Sequence, residues 1–216
     1  VVFLISLSFH EAAHAWTSDK FGDYTGRYQG RITLNPIAHI DPLGTILIPL
    51  MSFLGPNMPM FGWAKPVDVN PLLWRDRKKA SILVSAAGPA SNLVLAAIAF
   101  VIIKLLLVGG VLYPSPNGFI NLVAPMPGQP TLMEPIAKML SVMLTLNIGL
   151  GIFNLIPIPP LDGSHVLEAL LPPERAEAYA QIRPFGPIIL IALLWLGVLG
   201  FIFIPVYRLV LTLLFS

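Results

Sequence analysis

The sequence predicts an all-α polytopic membrane protein. It would have about four transmembrane helices, a re-entrant segment and a short β-hairpin-like element on the cytosolic side. Three observations predict this. Charged residues make up only 11% of the 216 residues and hydrophobic ones 56%, with a mean hydropathy of +0.78. A water-soluble domain carries roughly 25% charged residues, so this chain cannot cover a water-facing surface. Apolar runs fill most of the length and leave no room for a separate soluble unit, so residues 1–216 read as one domain. Finally, the Lys and Arg residues crowd some loops and are missing from another, the bias that orients membrane helices.

The four apolar segments are residues 1–16, 80–108, 136–156 and 187–215. The last three reach the length of about 20 residues that a span needs. The first is shorter and begins at Val1, so the expectation is a trimmed or missing N-terminus. It has no basic leader and does not read as a signal peptide. Gly109-Gly110 ends the second segment, and Pro205 is expected to kink the fourth. A fifth apolar stretch, 43–54, is too short to cross and contains Pro49, which suits a re-entrant or interfacial segment.

Charge placement decides the topology. Lys20, Arg27 and Arg31 fall in loop 17–42, and Lys65, Arg75, Arg77, Lys78 and Lys79 in loop 55–79. Arg175 and Arg183 fall in loop 157–186, while loop 109–135 has no Lys or Arg. If 43–54 turns back without crossing, every basic loop shares one face, the cytosolic one. Between the first helix and that stretch, Arg31 to Leu34 alternates polar and apolar residues between glycines and Asn35-Pro36, the pattern of a short strand.

Some function classes are excluded. The net charge is +2 with no concentrated basic stretch, so nucleic acid is not an expected partner. There are no cysteines, hence no disulfide and no thiolate metal ligand. The lipid bilayer is the expected surroundings.

Within the first apolar run stands His10-Glu11-Ala12-Ala13-His14. Residues four apart share one face of a helix, so His10 and His14 can offer two imidazole nitrogens to one ion. Glu11 beside them can serve a metal-bound water as base, the arrangement of zinc hydrolases. Ionisable groups at membrane depth are costly and mark function. Ser6 lies on the same stripe, to orient a ligand or to bond back to its own helix.

A tetrahedral catalytic zinc takes three protein ligands. The candidates for the third are His39, His165 and the carboxylates. Asp162 stands out because it follows a helix end and Pro157, Pro159 and Pro160, which would run extended and hold it rigidly. An ordinary Asp162-Gly163 surface turn is the plainer reading of that dipeptide alone. Charge favours the ligand: one dication, two neutral imidazoles, Asp162 and Glu11 sum to zero in a low-dielectric setting. His39 and His165 read better as hydrogen-bonding or solvated loop residues.

Ser81, Ser85, Gly88, Asn92 and Ala96 form a polar or small stripe on the second membrane helix. Asn147, Gly151 and Asn154 do so on the third. Such stripes serve helix packing. Asn92 and Asn154 are also candidates to hold a substrate strand or stabilise an oxyanion, and spacing alone leaves both readings open.

Taken in order, His10-Glu11-Ala12-Ala13-His14, Gly88-Pro89-Ala90-Ser91-Asn92 and Asn154-Leu155-Ile156-Pro157 through Asp162-Gly163 resemble the site-2 protease family of intramembrane zinc metalloproteases. The resemblance covers essentially the whole chain, and loop 109–135 is too short for an inserted PDZ domain, as in the compact branch. It implies one Zn2+ held by His10, His14 and Asp162, with Glu11 as general base and acid. It implies roles near the metal for Asn154 and Asn92, and a substrate strand added at Arg31–Leu34. It further implies regulated intramembrane proteolysis of a transmembrane protein substrate, in a multi-pass cell-membrane protein whose site lies in the bilayer near the cytosolic face. The rival classes are a membrane metal-ion transporter using the same His/Asp cluster and a non-catalytic protein with a structural zinc. Transporters often carry internal repeats, and none is visible here.

Overall fold

The computed structural model describes residues 1–48, 50–51, 63–115 and 120–216. Helix α1, Val2–Lys20, opens the chain. Its buried residues include Ser6, Ser8, His10 and Glu11 as well as Ala12 and Ala15, so it turns polar groups inward. A one-turn helix α2, Thr25–Tyr28, follows.

Residues 31–34 form no strand. Side chains organise this stretch instead. The Arg31 guanidinium donates to Ala38 O and to Pro66 O (3.1 Å), and His39 Nε2 donates to Thr33 O (2.9 Å). A 3-10 turn, Pro36–His39, is capped by Asn35, and a π-helical turn, Pro42–Leu47, by Asp41. The expected re-entrant segment 43–54 lies in part outside the described residues, at 49 and 52–54.

Helix α3, Arg77–Val108, is the longest element at 32 residues, capped by Asp76, which accepts from Lys79 N (3.0 Å). Strands β1, Leu112–Pro114, and β2, Val123–Pro125, pair antiparallel, Tyr113 opposite Ala124. This small sheet therefore sits in the uncharged loop, not at 31–34. Helix α4, Met133–Asn154, then packs along α3, with Ala96, Ala99 and Ile103 against Leu140, Leu144 and Ile148. Apolar burial of this kind contributes roughly 25 cal/mol per Å2 against water; inside lipid, close packing between the helices stabilises them more than burial does.

Helices α5, Asp162–Leu170, α6, Pro173–Ala180, α7, Gly186–Trp195, and α8, Gly200–Phe215, complete the described chain. The expected fourth membrane helix, 187–215, is thus two helices. The break falls at Leu196–Leu199, where Gly197 adopts φ +69°, while α8 runs through Pro205. Glycine supplies that left-handed conformation at no steric cost.

By length and composition, three helical runs among the described residues can cross a membrane: Arg77–Val108, Met133–Asn154 and Pro173–Trp195. Helix α1 is long enough but not apolar enough to join them. Among the described residues the architecture is all-α apart from one two-stranded sheet.

Candidate metal centre

One turn of α1 separates His10 from His14, and their rings meet edge to face with centroids 4.7 Å apart. Their Nε2 atoms are 3.0 Å from each other. Asp162 arrives from the first turn of α5: its Oδ2 is 3.2 Å from His10 Nε2 and its Oδ1 is 3.4 Å from His14 Nε2. Among the described residues this is the one cluster of His, Asp or Glu donors with metal-site spacing.

The far side of each ring fixes its proton. His10 Nδ1 donates to Asn92 Oδ1 (2.7 Å), and His14 Nδ1 donates to Val84 O (2.7 Å). With Nδ1 protonated, each neutral ring points an Nε2 lone pair at the other and at the carboxylate. Lone pairs aimed at one another repel unless a cation lies between them. Asp162 Oδ2 is correspondingly a buried oxygen without a hydrogen-bond donor. A tetrahedral ion with bonds of about 2.0–2.1 Å holds its ligands about 3.3 Å apart. The two Nε2 atoms, 3.0 Å apart, and the 3.2 and 3.4 Å from each ring to a different oxygen of Asp162 are close to that spacing.

Gly88 makes the room. A Cβ there would stand 2.3 Å from His14 Nε2 and 2.6 Å from His10 Nε2. Pro89, within α3, has no N–H for Ser85 O. Val84 O, in the same turn, is the acceptor for His14.

Asp162 is placed by the chain just before it. Residues 157–160 do not run extended as expected. They turn tightly through a cis Pro159-Pro160 bond, and Leu161 N donates to Ile158 O (3.0 Å). Gly163 then sits so close to Leu155 that a Cβ would be 2.2 Å from Leu155 O. No other residue lets α5 begin there. Asp162 lies in the first turn of α5, where the helix N-terminus favours its negative charge.

Glu11 is buried next to the cluster, and its Oε2 accepts from the backbone N–H of Val67 (3.0 Å). His10, Glu11, His14, Asn154 and Asp162 all line one cavity of about 1130 Å3, with Val67 on its wall. Asn92 does not line it. That side chain is 0% exposed behind His10, so its place is against the ring and not in reach of a substrate. Asn154 stays in the cavity wall, donating to Leu150 O (3.0 Å). Ser6 bonds back to Val2 O (2.9 Å), as its helix-bonding alternative had it. His39 is buried in the loop on Thr33 O, away from the cluster, and His165 is exposed at the cavity. Sequence reasoning misses Val67 and Val84, which act through backbone atoms that leave no mark in side-chain identity.

The sequence is similar to that of known proteins. The model of the family described as Peptidase family M50 matches residues 1–196. "Putative zinc metalloprotease YwhC" of Bacillus subtilis is 38% identical over 193 residues, covering 89% of this chain and 78% of that protein. "Putative zinc metalloprotease Rip2" of Mycolicibacterium smegmatis is 32% identical over 192 residues, covering 89% of this chain. The same-named protein of Mycobacterium tuberculosis H37Rv is 30% identical over 195 residues. The chain spans 64% of the length of each of these two mycobacterial relatives. No solved structure matches.

Proposed function

The chain belongs to peptidase family M50, and from that premise we propose that it is an intramembrane zinc metalloendopeptidase that hydrolyses peptide bonds in the membrane segments of other proteins. One observation carries the reading: the donor atoms of His10, His14 and Asp162 converge at metal-site spacing, with the Glu11 carboxylate on the same cavity wall. The relatives' names support zinc as the ion. His10, His14 and Asp162 would hold it. When bound, zinc polarises a carbonyl and lowers the pKa of a coordinated water toward about 7.

The chain's own residues do the rest. Glu11 takes the proton of the attacking water and returns it to the leaving amine. The Val67 N–H on Oε2 fixes the carboxylate and leaves Oε1 for that proton. Asn154 supports the carbonyl oxygen as negative charge builds on it. Asn92 holds the His10 ring from behind. A substrate helix hides its carbonyls in its own hydrogen bonds, so it must unwind locally before attack.

The same cavity supports a site nearer one face of the membrane. Arg77 and Lys78 line its mouth at the basic end of α3. Val84 is seven residues further along that helix, about 10 Å at 1.5 Å per residue. In a hydrocarbon core about 30 Å thick, the centre then lies in the half nearer the basic, cytosolic face of a multi-pass cell-membrane protein.

The test is cleavage of a model transmembrane substrate by purified protein. Cleavage is expected to stop with a chelator and return with zinc. Metal flux into liposomes that persists in Glu11→Gln, with no cleavage by the unaltered protein, would favour the transporter instead.

A further inference from the structure

Behind the His10 ring runs a chain of buried amides. Ser6 on α1, Asn92 on α3 and Asn147 on α4 are each 0% exposed. We propose that Asn147 is a positioning residue for the metal centre. Acting through Asn92, it selects the His10 tautomer whose Nε2 lone pair faces the ion.

The hydrogens can be placed one by one. Asn147 Nδ2 lies 2.9 Å from Met143 O, 2.9 Å from Ser6 Oγ and 3.1 Å from Met143 Sδ. All three are acceptors there, because the Ser6 hydroxyl has already given its hydrogen to Val2 O (2.9 Å). The amide cannot be turned over: its oxygen would then face a carbonyl, a sulfur and a committed hydroxyl. Asn147 Oδ1 therefore points at Asn92 and accepts from Asn92 Nδ2 (2.8 Å). The other Asn92 hydrogen goes to Ser6 O (3.2 Å). With both hydrogens spent, Asn92 can present only its oxygen to His10, and does so at 2.7 Å. His10 must then carry its proton on Nδ1. Three helices thus pass one instruction to a single nitrogen, and no hydrogen in the relay is left to choose its direction. Partners on the far ring nitrogen fix both tautomer and basicity of a metal-binding imidazole.

This inference rests on His10 being a metal ligand. Zinc affinity, measured by competition with a coloured chelator, separates the two claims. Asn147→Leu should bind zinc about tenfold more weakly than the unaltered protein. Asn147→Asp, buried and therefore neutral, keeps an acceptor for Asn92 and a hydroxyl for Ser6 or Met143. It should bind zinc within about threefold of the unaltered protein, a rescue that a simple packing role would not give. In the metal-free unaltered protein, 15N shifts of labelled histidine, with His10 assigned by the missing signal in His10→Gln, should report protonation at Nδ1. That measurement decides the matter if Asn147→Leu does not fold. Protonation at Nε2, equal zinc affinity in Asn147→Leu, or equal weakness in the two variants would overturn the proposal. An unaltered protein that binds no zinc overturns the metal reading and this inference together.

Discussion

His10 and Glu11 are neighbours in sequence, yet they are supported by different kinds of structure. His10 rests on Asn92, and through it on Asn147 and Ser6, all side chains of packed helices with no exposure to solvent. Glu11 rests on a backbone N–H of Val67, in the non-helical stretch 63–70 that borders the cavity. The ligand side is built into the helix core. The base side is completed by a loop, itself pinned where Asn70 N donates to Asp23 (2.8 Å). On the proposed roles, metal binding and proton transfer would be separable, and each side could be broken while the other stands.

The largest separation is expected from Glu11→Gln. Zinc content should be unchanged, and cleavage should fall about 10^2–10^4-fold, the range that one general base contributes. A variant that also lost its zinc would show the two sides to be one unit.

Gly88→Ala attacks the ligand side. Its Cβ would fall 2.3 Å from His14 Nε2. Zinc affinity should drop about 10–100-fold, as it does when the surroundings of a ligand are disturbed, and cleavage should fall with it. Chelator competition checks the first and a gel assay the second.

Val67→Pro attacks the base side by removing the N–H that Glu11 accepts. One charge-assisted hydrogen bond is worth about 1.5–3 kcal/mol, so cleavage should fall roughly tenfold or more at unchanged zinc affinity. Equal loss of both would merge the two regions.

The smallest effect belongs to Asp23, which ties the loop to the end of α1. Burial pushes its carboxyl up, but hydrogen bonds from Thr25, Asn70 and Ser18 outweigh this and hold it below the ordinary value of 3.8. A pKa lowered in the folded state stabilises the fold above the unfolded value and is lost as pH falls through the folded one. Asp23→Asn should therefore cost about 1–2 kcal/mol near neutral pH. The gap to the unaltered protein should close only as the solution becomes more acidic than about pH 4. Thermal melts of the chelator-treated proteins measure it.

The clustering of His10, His14 and Asp162 was largely legible in the sequence. His10, Glu11 and His14 announce themselves by helical spacing, and Asp162 by the prolines before it and Gly163 after it. The role of Asn92 was not legible. Spacing gives the stripe it lies on, but whether its amide meets a substrate or a ring depends on how α3 is rotated against α1, a product of packing. The base side was nearly invisible, since Val67 works through an atom every residue but proline has. Arg31–Leu34 misled because four alternating residues are also what a loop shows when Arg31 takes up distant carbonyls. The break in the last apolar stretch had a signal in Gly197, overridden there by continuous apolarity and by the expectation placed on Pro205.

Two imidazole nitrogens and a carboxylate crowd one point with nothing but glycine beneath them. An ion there would tie α1 to α5 as well as drive chemistry. Occupancy a hundredfold above dissociation adds about 2.7 kcal/mol to a fold. Handling the protein in EDTA should thus shorten its shelf life, and ageing on the bench would track the scavenger as closely as lost turnover does.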